Sequence, residues 1–149
     1  MSDKKHEYHV DLDWKEGRIG SLSSPELEDK IEVATPPQFD GGVEGTWSPE
    51  HLFVSSVSSC FMTTFVAIAE YSKLNFENLS VNATGKLSKE DGKFVVSEIT
   101  MNPELTIADE KFADKAKRIM EKAEEACLIT RSIKTTIHFE PKVTIAALK

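Results

Sequence analysis

The chain has 149 residues, a length typical of one domain that buries its own core. It carries 18 Lys and Arg against 25 Asp and Glu, a formal net charge of -7. This acidic balance argues against nucleic-acid binding, because contact with a phosphate backbone needs a basic face. With 40% hydrophobic and 29% charged residues, the composition is that of an ordinary globular protein. We therefore expect a single domain over residues 1–149.

The distribution of apolar residues gives no targeting or membrane signal. No apolar run approaches the roughly 18 residues that a membrane span needs. The first residues, MSDKKHEYHVDLDW, are charged throughout and contain no signal-peptide core. We therefore expect a cytoplasmic protein with no membrane partner. In that reducing compartment, two cysteines favour free thiols over a structural disulfide.

The first third of the chain has the pattern of short strands. Apolar residues alternate with polar ones over residues 8–14, which predicts a half-buried strand. After a turn at Gly17, residues 18–23 predict a second strand. A third strand is predicted at residues 31–33, and it ends before Pro36 because proline cannot donate to a β-ladder.

The middle of the chain predicts a long, apolar helix. Ser48 can cap it, Pro49 suits its first position, and Glu50 favours the positive end of its dipole. Residues 52–69 contain no charge, and their large apolar side chains recur at spacings of three and four. One small sheet cannot cover a helix that is apolar on most sides. We therefore expect a second copy of the chain to cover the rest, as a homodimer.

The second half repeats the order of strands followed by a helix. Strands are predicted over residues 79–83 and 94–101, with a hairpin turn at the Asp-Gly pair 91–92. Residues 112–123 predict an amphipathic helix, and residues 132–145 a closing strand. The fold class is therefore α+β, with antiparallel strands, a buried central helix and a second amphipathic helix.

The sequence lacks the motifs of common cofactor and metal sites. It contains no P-loop, no dinucleotide glycine fingerprint, no CxxC and no HExxH. His6 and His9 lie in a predicted strand whose alternation puts them on opposite faces. No spacing supports a protease-like dyad between a cysteine and His51 or His138. We expect no metal and no cofactor.

The two cysteines leave two interpretations open. Cys60 lies in the middle of the apolar helix, and Cys127 follows the second helix. Free cysteine is among the most buried residue types, so both can be plain core residues. The hydroxyls at residues 58–59 and 63–64 are unusual beside a thiol in an apolar helix, and they favour a chemical role for Cys60.

Five short segments carry a recognisable pattern along the chain. They are GRIG at residues 17–20, TPPQFDGG at 35–42, SPEHLF at 48–53, SSCF at 58–61 and ACLITRS at 126–132. Together they resemble the OsmC/Ohr family of cysteine-based peroxidases, in order and over nearly the whole chain. The resemblance implies an OsmC-like fold in an intertwined homodimer.

The resemblance also implies roles for the matched residues. It makes Cys60 the thiol that attacks a hydroperoxide and Cys127 the thiol that resolves it as a disulfide, which an external thiol or dithiol then reduces. An ordinary thiol, with a pKa of about 8.5, is only a few per cent thiolate at neutral pH. Arg18 is the implied cation for the Cys60 thiolate, and Glu50 is the implied partner of Arg18. The resemblance implies neither metal, flavin nor haem.

One departure from the family pattern follows the second cysteine. Established peroxidases of the family typically have proline there, whereas this chain has Leu128, which adds an N–H and loosens the loop. The alternative function is therefore a non-enzymatic dimer that binds a small apolar ligand, and a structural dimer with core cysteines is a third. For a peroxidase, an apolar channel would favour organic hydroperoxides, and its candidate residues are Phe39, Trp47, Phe53 and Phe61.

Overall fold

A computed structural model describes residues 5–146. Its helices and strands are, in chain order, β1 (Asp11–Glu16), β2 (Ile19–Ser23), β3 (Ile31–Ala34), α1 (Pro49–Tyr71), β4 (Asn78–Glu90), β5 (Lys93–Ile107), α2 (Ala113–Ala126), α3 (Leu128–Arg131), β6 (Thr136–Phe139) and β7 (Lys142–Ile145). They fall into two compact units, one ending at Leu52 and one beginning at Phe53. The expectation of one domain over the whole chain stays a prediction.

The first unit is built on an antiparallel three-stranded sheet in the order β1-β2-β3. Gly17, with φ 50°, makes the left-handed turn between β1 and β2. The strand predicted over residues 8–14 begins only at Asp11, and every residue of β1 is exposed. Trp14, for example, is 75% exposed. The expectation of a half-buried strand is therefore wrong for the single chain, because none of the described residues of this unit covers its apolar face.

The second unit is built on the long β4–β5 hairpin. At its turn, residues Asp91 and Gly92 have φ 52° and 76°, the left-handed values that the Asp-Gly pair predicts. Strands β6 and β7 both pair in parallel with β5, β6 beside residues 98–101 and β7 beside residues 104–107. The sheet is therefore mixed, because the helical crossover after β5 returns the chain in the same direction. The closing strand predicted over residues 132–145 is divided into β6 and β7, with Pro141 between them.

Helix α1 buries one stripe against the core of the second unit. Its buried residues recur at every fourth position: Val57, Phe61, Phe65 and Ala69. A glycine at position 85 allows α1 to approach β4 closely, since a Cβ at Gly85 would lie 2.5 Å from Val54 Cγ2. The opposite face of α1 is uncovered in the single chain, where Met62 is 41% and Val66 38% exposed.

Helix α1 is also long and apolar enough to cross a membrane, judged by length and composition alone. The expectation that no apolar run approaches that length is therefore wrong, since serine and threonine interrupt the run without adding charge. One such helix is weak evidence for a span, because core helices meet the same criterion. Only 22% of its apolar window is buried in the single chain.

Helix α2 is amphipathic, as predicted, and its apolar stripe joins the core of the second unit. Asp109 accepts a hydrogen bond from the Lys111 N–H, but it caps a short 3₁₀ turn, Glu110–Phe112, that precedes α2. Helix α2 ends at Ala126. Cys127 then takes an extended conformation, with φ -66° and ψ 114°, before α3 begins. This break in the helix places the second cysteine at a turn.

Candidate functional site

The second unit brings the two thiols into contact. Cys60 is half-buried in the middle of α1, and Cys127 is fully buried at the turn between α2 and α3. Both are free cysteines, and each thiol shifts the pKa of the other, as neighbouring thiols do. Neighbouring thiols are the arrangement from which thiolate attack on an oxidised sulfur can proceed.

Hydrogen-bond donors surround the Cys60 sulfur. Burial alone raises the pKa of Cys60, but the Ile129 N–H and the Cys127 thiol oppose it. The Thr64 hydroxyl and the Leu128 N–H act in the same direction, so the pKa of Cys60 lies below its ordinary value. None of these four donors is a cation. Neutral dipoles therefore stabilise the thiolate within this unit.

Cys127 has the opposite tendency. Burial raises the pKa of the Cys127 thiol above its ordinary value, and the contact with Cys60 raises it further, although hydrogen bonds from Thr130 offset part of the rise. The pair therefore loses its first proton mainly from Cys60. Cys127 stays protonated and donates to its neighbour.

The hydroxyl-rich stretch of α1 divides into two groups. Four hydroxyls donate back to α1 carbonyls: Ser56 to Phe53, Ser58 and Ser59 to Ser55, and Thr63 to Cys60. The Thr64 Oγ1 instead lies 4.0 Å from the Cys60 sulfur. Residues four apart share a helix face, so the spacing of Cys60 and Thr64 was the available sequence signal. No sequence spacing identifies the backbone N–H groups of residues 128 and 129 as neighbours of Cys60.

Arg18 and Glu50, the predicted pair, both belong to the first unit. Arg18 is exposed and extends across Gly41, where a Cβ would lie 3.1 Å from Arg18 Cγ. It lines an apolar cavity of about 320 Å³ together with Leu12 and Trp14. The Glu50 Oε1 is buried and has no hydrogen-bond partner within residues 5–146. In that part of the chain no ion pair joins the two side chains, so the predicted pairing is absent from the single chain.

The start of α1 follows its prediction closely. The Ser48 Oγ accepts a hydrogen bond from the His51 N–H at 3.2 Å, and it lies 2.6 Å from His51 Nδ1. His138 bonds the Glu98 carboxylate at 2.7 Å. Both histidines therefore have partners other than a cysteine. Across residues 5–146, no group of three or more His, Cys, Asp or Glu is arranged to hold a metal ion.

Phe61, a predicted substrate contact, is a core residue. Its side chain is fully enclosed, with ring centroids 6.0 Å from Phe65 and 5.3 Å from Phe139. The prediction for Phe61 is wrong in the single chain, because a ring packed on both sides offers no surface to a ligand.

The other three predicted contacts occupy different places. Phe53 lines a cavity of about 480 Å³ in the second unit, together with Val95 and Val96. Trp47 borders a cavity of about 300 Å³ in the first unit. Phe39 is half-buried in the loop before α1. Their role as substrate contacts stays a prediction.

Known proteins share this sequence pattern and fold. The family model described as "OsmC-like protein" matches residues 41–142. The uncharacterized protein YmaD of Bacillus subtilis (strain 168) is 25% identical over 145 residues, which cover 94% of this chain and 95% of the relative.

Solved structures agree with these matches. An OsmC-like protein of unknown function from Vibrio cholerae superposes with a TM-score of 0.82 at 24% identity, over 92% of this chain and 99% of the other. An organic hydroperoxide resistance protein OsmC from Legionella pneumophila gives a TM-score of 0.73 at 21% identity, over 95% and 100%. The predicted α+β fold is confirmed.

Proposed function

Because the chain belongs to the OsmC-like protein family, we propose that it is a thiol-dependent hydroperoxide reductase with a role in peroxide defence. Three similar structures carry the name organic hydroperoxide resistance protein. The observation that carries the proposal is the contact between a half-buried thiol with a lowered pKa, Cys60, and a buried thiol with a raised pKa, Cys127. A lowered pKa suits Cys60 to the peroxidatic role, because the thiolate is the nucleophile.

The proposed reaction begins at Cys60. Its thiolate attacks one oxygen of the hydroperoxide, so that an S–O bond forms while the O–O bond breaks. The electron pair leaves with the other oxygen as an alkoxide, which takes a proton and departs as an alcohol, or as water from hydrogen peroxide. Sulfur is oxidised by two electrons, and Cys60 becomes a sulfenic acid.

Cys127 completes the proposed cycle. Its sulfur attacks the sulfenic acid, an S–S bond forms, and the sulfenic oxygen leaves as water. An external thiol or dithiol then reduces the disulfide and is itself oxidised. A reducing compartment such as the cytoplasm supplies such thiols, and this location also stays a prediction.

Arg18 belongs to the proposal as the residue that holds the peroxide, and Glu50 as the carboxylate partner of Arg18. The fixed fork of donors on Arg18 is suited to hold peroxide oxygens as negative charge moves onto the leaving group. The Glu50 Oε1 is buried and has no hydrogen-bond partner in the described chain. Because an unpaired buried acceptor costs about 1–3 kcal/mol, this atom favours a donor from outside the single chain.

We also propose that the protein is an intertwined homodimer. Two apolar surfaces of the single chain are uncovered, the β1 strand with Trp14 and the face of α1 with Met62 and Val66. Exposed apolar patches of this kind mark protein interfaces. A second copy of the chain is the proposed occupant of both.

The alternative function is binding of a small apolar ligand without catalysis. The observation in its favour is a cavity of about 480 Å³ that Phe53, Val95 and Val96 line together with five polar or charged residues, among them Glu90 and Lys134. Pockets of this size and lining suit small apolar molecules.

A thiol titration before and after one equivalent of cumene hydroperoxide separates the two functions. We expect the loss of two thiols per chain for the reductase, and unchanged thiols would favour the binding protein. Cys60→Ser should abolish the loss. Cys127→Ser should lose its single thiol and leave a sulfenic acid on Cys60 that dimedone labels, and ordinary turnover of Cys127→Ser with a dithiol would contradict a resolving role.

A further inference from the structure

We propose that Gly41 is a positioning residue, whose missing side chain lets Arg18 lie against the loop between β3 and α1 and so sets the direction of the guanidinium. This inference rests on the proposed function and deepens it, because it names what orients the residue that holds the peroxide. Both residues lie in the first unit of the chain.

The contact between Arg18 and Gly41 provides the first argument. A Cβ built on Gly41 would lie 3.1 Å from Arg18 Cγ, 3.2 Å from Arg18 Nε and 3.6 Å from Arg18 Cζ. The arginine therefore crosses the Gly41 backbone from its aliphatic stem to its guanidinium. Within residues 5–146 no carboxylate forms an ion pair with Arg18. Packing, rather than an ion pair, thus restrains this side chain in the single chain.

The hydrogen bonds of the loop provide the second argument, because they hold Gly41 in place. The N–H groups of residues 39 and 42 each donate to the carbonyl three residues earlier, at 3.1 and 3.0 Å, which makes two successive turns. The Val43 N–H then closes the loop on the Thr35 carbonyl at 2.9 Å. Gly41, with φ 77°, is the third residue of the second turn, where a type II turn requires the left-handed conformation. The surface under Arg18 is therefore fixed by the loop itself.

A second glycine before α1 provides the third argument. Gly45 has φ 73°, close to the value of Gly41, but a Cβ at Gly45 would meet no atom within 4 Å. Alanine at either position costs backbone strain of the same kind, because a side chain disfavours the left-handed region. Only at position 41 would the added Cβ also displace Arg18. Gly45 is therefore the matched control for Gly41.

The direction of the guanidinium matters because its proposed task depends on direction. The donors of arginine form a planar fork that matches two oxygens in one orientation. A long side chain that is exposed to solvent samples many rotamers, and it loses that freedom when it binds. Contact with Gly41 restricts the rotamers of Arg18 before a substrate arrives. The donors then need less reorganisation as charge develops on the leaving oxygen.

NMR relaxation of the arginine Nε–H groups measures the order of the Arg18 side chain. The chain has two other arginines, Arg118 and Arg131, and Arg18→Lys assigns the Arg18 signal by its loss. We expect Gly41→Ala to lower the order parameter of Arg18 towards the flexible range below about 0.6, and Gly45→Ala to match the parent. If the alanine variants are too unstable, Gly41→Asn and Gly45→Asn repeat the comparison, because asparagine adds a Cβ and tolerates the left-handed region better.

Stopped-flow reduction of cumene hydroperoxide tests the consequence for the reaction. We expect Gly41→Ala to reduce the peroxide about three- to tenfold more slowly than Gly45→Ala, because a small misplacement of a group that contacts the reacting atoms slows a reaction. In an Arg18→Ala background, Gly41→Ala should cause no further loss, since its effect acts through the arginine. A loss that persists without the arginine would mean that Gly41 only supports the loop, and it would overturn the inference.

The outcomes separate this inference from the proposed function. Equal order of Arg18 and equal peroxide rates in Gly41→Ala and Gly45→Ala would overturn the positioning role. Disorder of Arg18 in Gly41→Ala without a slower reaction would overturn it as well. A parent protein that consumes no peroxide would overturn the reductase, and the NMR comparison would still decide whether Gly41 orders Arg18.

Discussion

The Arg18 side chain is exposed and lies across Gly41, and the Cys60 sulfur is served by neutral donors. The family resemblance assigns two tasks to one arginine, stabilisation of the thiolate and a hold on the peroxide oxygens. Within the second unit, hydrogen bonds that include those of Thr64 and of the turn after Cys127 lower the pKa of Cys60. Substitution of Arg18 tests which of the two tasks it performs.

We expect Arg18→Ala to move the pH profile of Cys60 alkylation by iodoacetamide upwards, because a guanidinium that holds the peroxide beside the sulfur also favours the thiolate. Arg18→Lys keeps the charge but loses the planar fork of donors, so it should recover part of the alkylation profile but little of the peroxide rate, which should fall at least about tenfold in both variants. Stopped-flow peroxide reduction and alkylation report the two quantities separately. Parent values of both quantities in both variants would contradict a role for Arg18 at the site.

The two cysteines that the fold brings together could be singled out from sequence, but their surroundings could not. Cys60 and Cys127 lie in segments with a recognisable pattern. The donors around Cys60 include backbone N–H groups at residues 128–129, which every residue except proline possesses. Phe61 was misassigned because an aromatic residue on an apolar helix has the same pattern whether it faces a ligand or the core.

At the scale of elements, the contact between α1 and β4 depends on the absence of a side chain at position 85. A Cβ there would lie 2.5 Å from Val54 Cγ2, and a β-branched valine has no freedom to swing away. The close packing of the Cys60 helix against the sheet therefore requires glycine at this position.

We expect Gly85→Ala to lower the free energy of unfolding by about 1–3 kcal/mol, because overpacking a core contact forces backbone shifts. The double variant Gly85→Ala with Val54→Ala should recover part of that loss beyond the additive expectation. Urea unfolding measures all three proteins. Strict additivity of the two changes would contradict the proposed contact.

The start of α1 and the turn between β4 and β5 could be predicted from sequence, because both depend on local chemistry. Ser48 caps α1, and Asp91 with Gly92 turns the β4–β5 hairpin, as predicted. The direction of β6 and β7 was not readable, since alternation of apolar and polar residues is the same in parallel and antiparallel strands. That direction depends on the crossover through α2, which is a property of the whole path of the chain.

At the scale of the whole molecule, two apolar surfaces of the single chain are exposed to solvent. The uncovered surfaces are β1 and the outer face of α1, where residues 62 and 66 are exposed. The sequence already indicated that one chain leaves part of α1 exposed, because residues 52–69 contain no charge. The fold identifies the two surfaces that the proposed second copy of the chain would bury.

We expect sedimentation at micromolar concentration to give about twice the chain mass of 16.6 kDa. Val66→Glu should shift the protein towards the monomer, because it places a charge on the uncovered face of α1. A matched charge change on the solvent-exposed face of α2, Lys117→Glu, should leave the mass unchanged. A compact parent monomer under these conditions would contradict the dimer.

The complete burial of Cys127 fixes the direction in which a Cys60–Cys127 disulfide is broken. An incoming thiol reaches the sulfur of Cys60, which is half-buried, and the sulfur of Cys127 becomes the leaving group. A thiol with a raised pKa leaves slowly. In the proposed cycle, the burial that keeps Cys127 protonated in the reduced state thus also slows its departure from the disulfide, and we expect reduction to be the slow half of the cycle.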